Sequence, residues 1–381
     1  MRRALLAVVA LLAALAAPLP ASGGDSTPNT PPPRVEAAAW YLVGPDGTVL
    51  AQSHARERRA PASITKLMTA LVALERASPS ETVTIDRRAV GVGESTAYLR
   101  AGERLTVAEL VRAMLVPSAN DAALALALHV GHGSVDRFVE LMNAKARELG
   151  LMDTSFRNAH GLDQPGHVSS ARDATLLLRH ALGVPFLRDA LGRTAVTLPG
   201  GRSLPTTDDL LASWPPLLGG KTGHTLAAGW SEAAAAERPG ITVYGAVLGS
   251  DSRAERNDAL RALLEHGLGL YVREPVVDRS RVYAEAATQY GGSPVELVAP
   301  ASVVRPLLVG TRLVERVVAP SVVPVPVRAG QPLGRVEVWS GDELVASSNL
   351  VAAEAVAAPG LLGKARWYAT RTIENLWGLV S

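Results

Sequence analysis

Two rhythms of apolar and polar positions run along this chain, and the points where they change mark out its parts. Residues 38–43 (Ala-Ala-Trp-Tyr-Leu-Val) read as a strand. Gly44-Pro45-Asp46-Gly47 is a turn, and residues 48–51 return as a second strand, which predicts a hairpin. From Ser63 the spacing becomes helical: Ile64, Leu67, Met68, Leu71, Val72 and Leu74 recur on one side. Ser63 thus falls at the first turn of a buried helix. Residues 105–115 predict an amphipathic helix, opened by a capping box of Thr106 and Glu109 and stopped by Pro117. The apolar run 122–128, residues 135–149 closed by Gly150, and residues 172–182 predict more helices, with a loop rich in Gly, Asp, His and Pro at 158–169. Residues 217–222 and 241–248 read as strands and 254–268 as a closing helix. Strands at both ends with helices between them predict an α+β or α/β layered domain over 37–273.

Beyond residue 273 valine and proline dominate and the helical period fades. Residues 325–328 and 335–339 read as short strands, with Gly330 and Gly341 at turns, so 274–356 predicts a small all-β domain. The last stretch, 358–381, is helical again. Leu362, Ala365, Ala369, Ile373, Leu376, Trp377 and Val380 share one face; Lys364, Arg371, Glu374 and Asn375 take the other, and Trp367 falls on the polar side. Such a helix either lies in a membrane interface or packs on the protein.

The N-terminus bears on compartment. Met1-Arg2-Arg3 is a basic start, residues 4–17 are apolar, Pro18 and Pro20 break the run, and Ala21-Ser22 offers a small-residue cleavage point. This is the layout of a secretory signal peptide over 1–21; the apolar run is shorter than the ~20 residues a spanning helix needs. Residues 22–36 read as a flexible linker. The 38 basic and 36 acidic residues nearly balance, and no long basic run marks a nucleic-acid surface. Cysteine is absent, which excludes disulfides, thiolate catalysis and cysteine metal sites.

Three short motifs carry the candidate chemistry. In Ser63-Ile64-Thr65-Lys66, the serine and lysine stand one helical turn apart on one face. A serine hydroxyl needs a base to become a nucleophile, and a lysine can serve only when neutral, hence with a pKa lowered by burial or by a nearby cation such as Lys221. Ser118-Ala119-Asn120 supplies a hydroxyl that can relay a proton and an amide that can hold a substrate backbone; the plainer alternative is a serine that starts the next helix. Lys221-Thr222-Gly223 combines a cation, a hydroxyl and a residue without a side chain, which on an edge strand suits a ligand carboxylate; the alternative is a solvated lysine before a turn.

These motifs and their surroundings resemble the serine-type D-alanyl-D-alanine carboxypeptidases, the low-molecular-mass penicillin-binding proteins of peptidase family S11. The likeness runs through Pro61-Ala62-Ser63-Ile64-Thr65-Lys66-Leu67-Met68-Thr69 and Pro117-Ser118-Ala119-Asn120-Asp121-Ala122. It continues through Asn158 to Asp163, Lys221-Thr222-Gly223-His224-Thr225 and Ala329-Gly330-Gln331-Pro332-Leu333-Gly334. The resemblance implies an α+β, β-lactamase/transpeptidase-like catalytic domain with helices packed on an antiparallel sheet, then a small all-β domain and a C-terminal amphipathic helix. It implies removal of the terminal D-alanine from peptidoglycan stem peptides ending in D-Ala-D-Ala, through an acyl-serine and with neither metal nor cofactor, and covalent inhibition by β-lactams. Carried over by position, Ser63 is the nucleophile, Lys66 its base, Ser118 the proton carrier to the leaving D-alanine and Asn120 the holder of the substrate amide. Lys221, Thr222 and Gly223 face the terminal carboxylate, the N–H groups of Ser63 and His224 form the oxyanion hole, and Arg256 assists with the carboxylate. The resemblance also implies export and attachment by the C-terminal helix to the outer face of the cytoplasmic membrane. One departure stands out: Thr206-Thr207-Asp208-Asp209 occupies a place where the family commonly has asparagine-containing text.

Three rival readings share some of these residues. A class A β-lactamase needs a glutamate to activate the deacylating water, for which Glu140 near Asn143 is the available pair. A non-catalytic wall binder needs the same cleft with a misplaced serine. A zinc peptidase would have to use His129, His132 and Asp136, which lack a zinc-binding pattern.

Overall fold

The computed structural model describes residues 31–377; the expected signal peptide, most of the linker and Val380 lie outside them. Strand β1 (Ala39–Val43) turns Ala39, Tyr41 and Val43 to one side and Trp40 and Leu42 to the other, and all five are buried. A strand apolar on both faces belongs inside a layered domain. The predicted hairpin joins it to β2 (Val49–Ser53). The chain continues through α1 (Thr65–Arg76), the ribbon β3 (Thr82–Thr84) and β4 (Arg104–Thr106), then α2 (Val107–Leu115), α3 (Asn120–Val130), α4 (Val135–Glu148), α5 (Ala171–Leu182) and α6 (Pro185–Leu191). A second ribbon, β5 (Ala195–Leu198) and β6 (Arg202–Pro205), and the short α7 (Leu210–Ser213) lead to β7 (Leu217–Thr225), β8 (Gly229–Arg238), β9 (Ile241–Ser250) and α8 (Arg253–Gly269).

The sheet has five strands in the order β2-β1-β9-β8-β7, antiparallel throughout. One face packs against the α1–α6 layer through Ala39, Tyr41, Ala233, Ala235, Ala246 and Leu248. The other packs against α8 through Trp40, Leu42, Ala234, Ala236, Val243 and Leu264. The architecture is therefore α+β, with an antiparallel sheet between two helical layers. Strand β8, with its run of four alanines, has no β-branched signature, and its register explains the small side chains. A Cβ on Gly220 of β7 would lie 2.6 Å from the Cβ of Ala234, so this part of the sheet has no room for bulk. The Thr106–Glu109 capping box forms at the start of α2 as read from sequence.

Eight further strands follow: β10 (Tyr271–Val277), β11 (Val282–Thr288), β12 (Val295–Val298), β13 (Val303–Leu308), β14 (Val314–Val318), β15 (Val322–Val323), β16 (Pro332–Ser340) and β17 (Glu343–Ala352). They enclose a separate core of Val277, Leu297, Val336, Val338 and Leu350. Residues 335–339 lie in β16 as expected. Residues 325–328 do not form a strand: Pro324 and Pro326 lack N–H donors, and only the single bridge Val327–Val356 remains.

Helix α9 (Leu361–Trp377) closes the described chain. Leu361 and Leu362 are nearly fully exposed, and so is more than half of Ile373. Trp367, placed on the polar side by periodicity, packs edge-on against Tyr290 at 5.5 Å, with Lys364 over the same ring. Gly291, whose Cβ would meet the Trp367 indole at 3.4 Å, leaves room for that contact.

Candidate active site

The nucleophile turn is built under constraint. Residues Ala62–Ile64 form a 3₁₀ turn that runs directly into α1. Ala62 is fully buried and takes a left-handed φ of 45°, a conformation that costs a non-glycine residue on the order of 1–3 kcal/mol and survives only where packing imposes it. Two glycines impose it here. A Cβ on Gly161 would collide with the Ala62 carbonyl oxygen, and one on Gly223 would meet the Ala62 Cβ at 3.0 Å and the Ser63 nitrogen at 3.1 Å. Strand β7 and the loop around Gly161 therefore hold the turn from two sides and leave Ser63 half-buried at the cleft.

Lys66 stands beneath Ser63 with no exposed surface. Its Nζ donates to Asn120 Oδ1 at 2.7 Å and to the His160 carbonyl at 2.8 Å, and lies 2.7 Å from Ser63 Oγ. Burial, with the Lys221 charge added, drives its pKa far below that of a free lysine. The loop carrying His160 is tied down on every side. Thr69 Oγ1 donates to the Ala159 carbonyl, Gly161 N–H to Asn158 Oδ1, and Thr225 Oγ1 to Asp163 Oδ1. His167 Nδ1 accepts the Arg157 N–H, so its Nε2 carries the proton and donates to Thr65 Oγ1 at 2.8 Å. Burial keeps this imidazole neutral, with its pKa pushed down to about 4.

Ser118 and Asn120 enter from the break between α2 and α3. Ser118 is buried with φ 66°, another left-handed non-glycine residue at the cleft, so it does not begin α3 as an ordinary cap. Asn120 completes the bridge from Lys66 by donating Nδ2–H to the Gly93 carbonyl. Beside it, buried Asp121 accepts from the N–H groups of Ala97, Leu99 and Ala122 and from Thr96 Oγ1. This one carboxylate shapes the cleft wall that includes Glu94 and Ser95.

The cationic end is built on the edge strand β7. Lys221 is buried, and its Nζ donates to the Thr222 carbonyl at 2.8 Å. Burial pushes its pKa down to about 7 and Arg256 adds to the push, while Glu232 and Asp208 pull it back up. Thr222 Oγ1 lies 2.7 Å from Thr207 Oγ1. His224 is exposed at the rim and stacks on Trp230, with ring centroids 4.2 Å apart. Arg256 is not a solvated helix arginine: it is buried, with Nε 3.1 Å from Glu232 Oε2. A cavity of about 450 Å³ runs between these groups, lined by Ser63, Ser118, Thr222, Gly223, His224 and Arg256 among others. Lys66, Asn120 and Lys221 form its buried support.

Sequence reasoning missed Asp121, His167 and Glu232, because each acts through a partner distant in sequence, and Trp230, whose stacking on His224 is set by the β7–β8 register. Glu140, the glutamate required by a β-lactamase reading, is exposed on α4, and Asn143 is engaged with the backbone of Val139 and Phe156. His129 pairs with Glu81 on a separate surface.

Known proteins resemble this chain in sequence and in fold. A family model described as D-alanyl-D-alanine carboxypeptidase, peptidase S11, matches residues 26–252, and one for the penicillin-binding protein 5 C-terminal domain matches residues 271–358. D-alanyl-D-alanine carboxypeptidase DacD of Salmonella typhimurium is 30% identical over 368 residues, covering 91% of this chain and 93% of that protein. DacD of Escherichia coli is 32% identical over 364 residues, 88% of this chain and 92% of its own. Among solved structures, penicillin binding protein 6B of Escherichia coli matches with a TM-score of 0.64 at 29% identity, over 85% of this chain and 98% of that one. The Streptomyces K15 DD-transpeptidase matches with a TM-score of 0.60 at 31% identity, over 63% of this chain and all of that one. With a family model spanning more than half its length and relatives of this identity covering most of it, the chain belongs to the D-alanyl-D-alanine carboxypeptidase family, peptidase S11.

Proposed function

We propose that this protein removes the terminal D-alanine from peptidoglycan stem pentapeptides through an acyl-serine intermediate, and that β-lactams acylate the same serine. The observation that carries the reading is the wholly buried Lys66 Nζ, 2.7 Å from Ser63 Oγ, because only a desolvated and hence neutral amine can take a serine proton. Ser63 Oγ attacks the carbonyl of the penultimate D-alanine while Lys66 accepts its proton. The C–N bond breaks, and the leaving D-alanine nitrogen receives a proton through Ser118. Water then cleaves the ester and frees the tetrapeptide. Asn120 aligns the substrate amide, the Ser63 and His224 N–H groups stabilise the oxyanion, and Lys221, Thr222 and Arg256 hold the terminal carboxylate. Release of D-alanine from an N-acetylated L-Lys-D-Ala-D-Ala peptide tests the activity; intact peptide after long incubation with folded protein contradicts it.

The pKa directions set the pH dependence. Lys66 must be neutral, so kcat/KM climbs as pH rises through its depressed pKa. Lys221 must be charged, and it is charged below about 7 and neutral above, so kcat/KM falls on the alkaline side from about there. That alkaline limb belongs to KM and disappears for a substrate whose terminal carboxylate is amidated. An alkaline limb confined to kcat, or one retained with the amidated substrate, contradicts the assignment of Lys221.

We infer that the protein acts outside the cytoplasmic membrane, with α9 lying on the membrane surface. Exposed Leu361, Leu362 and Ile373 support this placement. Among the described residues no helix is long and apolar enough to cross a bilayer. The mature chain is expected to sediment with vesicles containing anionic lipid, and a chain ending before Leu361 to stay in solution; equal sedimentation of both contradicts the placement.

A further inference from the structure

We propose that Asp208 and Glu232 share one proton beneath the cleft and so hold its cationic end at a single net positive charge, acting as positioning residues for the substrate carboxylate. The inference rests on the carboxypeptidase reading above. Glu232 lies on β8, paired in register with Thr222 of β7, and has no exposed surface; Asp208, just before α7, is nearly as buried. Asp208 Oδ1 accepts the N–H groups of Leu210 and Leu211 at 3.0 and 3.3 Å. Among the described residues, Asp208 Oδ2 and both Glu232 oxygens have no well-aligned donor, although Arg256 Nε stands 3.1 Å from one of them. Leaving three buried carboxyl oxygens without donors is expensive. A proton held between the two side chains supplies one bond between a pair of these oxygens, and Arg256 faces Glu232 Oε2. Burial raises the pKa of each, and for Glu232 the neighbouring aspartate raises it further, so the two titrate as a unit.

Counting charge shows what the shared proton does. Lys221 and Arg256 bring two positive charges into the buried floor. A pair holding one proton brings one negative, leaving a net charge of about plus one for an incoming carboxylate to neutralise. With both carboxylates ionised the floor is neutral before binding and carries a buried negative charge afterwards. At the rim Arg253 and Asp209 form an ion pair at 2.5 Å, Asp209 Oδ2 lies 3.9 Å from an Arg256 Nη, and Glu94 lines the same cavity; Asn257 Oδ1 accepts from Arg256. Asp208 also falls in the segment where the sequence departs from its family's usual text.

The test is steady-state hydrolysis of N-acetylated L-Lys-D-Ala-D-Ala between about pH 5.5 and 9, with benzylpenicillin acylation counting folded sites. The double variant Asp208→Asn, Glu232→Gln removes the pair's single negative charge, which keeps Lys221 protonated. Its KM at pH 7 is expected to rise about tenfold with kcat within about threefold, and its alkaline KM limb to move to lower pH. Asp208→Asn alone offers an amide N–H in place of the shared proton. It is expected to keep KM at pH 7 within about threefold of wild type and to leave the alkaline limb close to its wild-type pH, because Glu232 stays ionised beside Lys221. A double variant with wild-type KM and pH profile overturns the inference, and so does an Asp208→Asn single variant as impaired as the double. Should the double variant not fold, a rise of about tenfold or more in the KM of Asp208→Asn at pH 7 overturns it. A wild-type protein that releases no D-alanine overturns the parent reading and this inference together; active wild type with insensitive variants overturns the inference alone.

Discussion

Lys66→Gln is expected to slow acylation by benzylpenicillin about a thousandfold or more. The amide is one bond shorter and uncharged, and its N–H points toward the same acceptors, Asn120 Oδ1 and the His160 carbonyl. It cannot accept the Ser63 proton. The change therefore separates proton transfer from packing. Thermal stability should hold or rise, because a buried lysine carries a desolvation cost that a neutral amide avoids. Acylation measured by stopped flow, beside a melting curve, checks both. A loss of less than about tenfold would mean that another group takes the proton.

The second large effect is placed away from the reacting atoms. Gly161→Ala is expected to cost about 3 kcal/mol of stability and about a hundredfold in acylation rate. Two causes add. Gly161 has φ 96°, which a β-carbon resists, and that carbon would collide with the Ala62 carbonyl in the turn that aims Ser63. Backbone cannot move aside as a flexible side chain can. Gly102→Ala separates the causes: Gly102 has φ 80° but nothing within 4 Å of a Cβ. It should lose only about 1 kcal/mol and keep its acylation rate. If the two variants behave alike, the wedge between Gly161 and Ala62 does not hold the nucleophile.

The hairpin, the nucleophile helix and the capping box were legible because each is a local pattern: alternation with a Gly-Pro-Asp-Gly turn, helical spacing after Ser63, and Thr106 three residues before Glu109. Strand β8 was not. Ala233 to Ala236 carry no strand signal, and they are alanines because Gly220 and the helices on both faces leave no space. The 325–328 segment failed in the other direction, since its valines suggested pairing that its prolines deny. The motifs identified Ser63, Lys66, Ser118, Asn120 and Lys221, and the structure brings them around one cleft. The positive φ of Ala62 and Ser118 and the carboxyl pair Asp208–Glu232 were beyond reach. They arise from contacts between segments far apart in sequence, where one side chain's identity is set by another's volume or charge. Arg256 shows both sides: its helix was read from the residue pattern and its role from the family likeness, but its burial against Glu232 needed the fold.

The central claim is that Ser63 becomes acylated with Lys66 as its base. Intact-protein mass spectrometry after incubation with benzylpenicillin, beside Ser63→Ala, tests it most directly. The account predicts a single adduct of the drug's full mass on the wild-type protein, mapping to the peptide that holds Ser63, and none on the variant. Full adduct on Ser63→Ala, or no adduct on wild type while the drug stays intact, would contradict it.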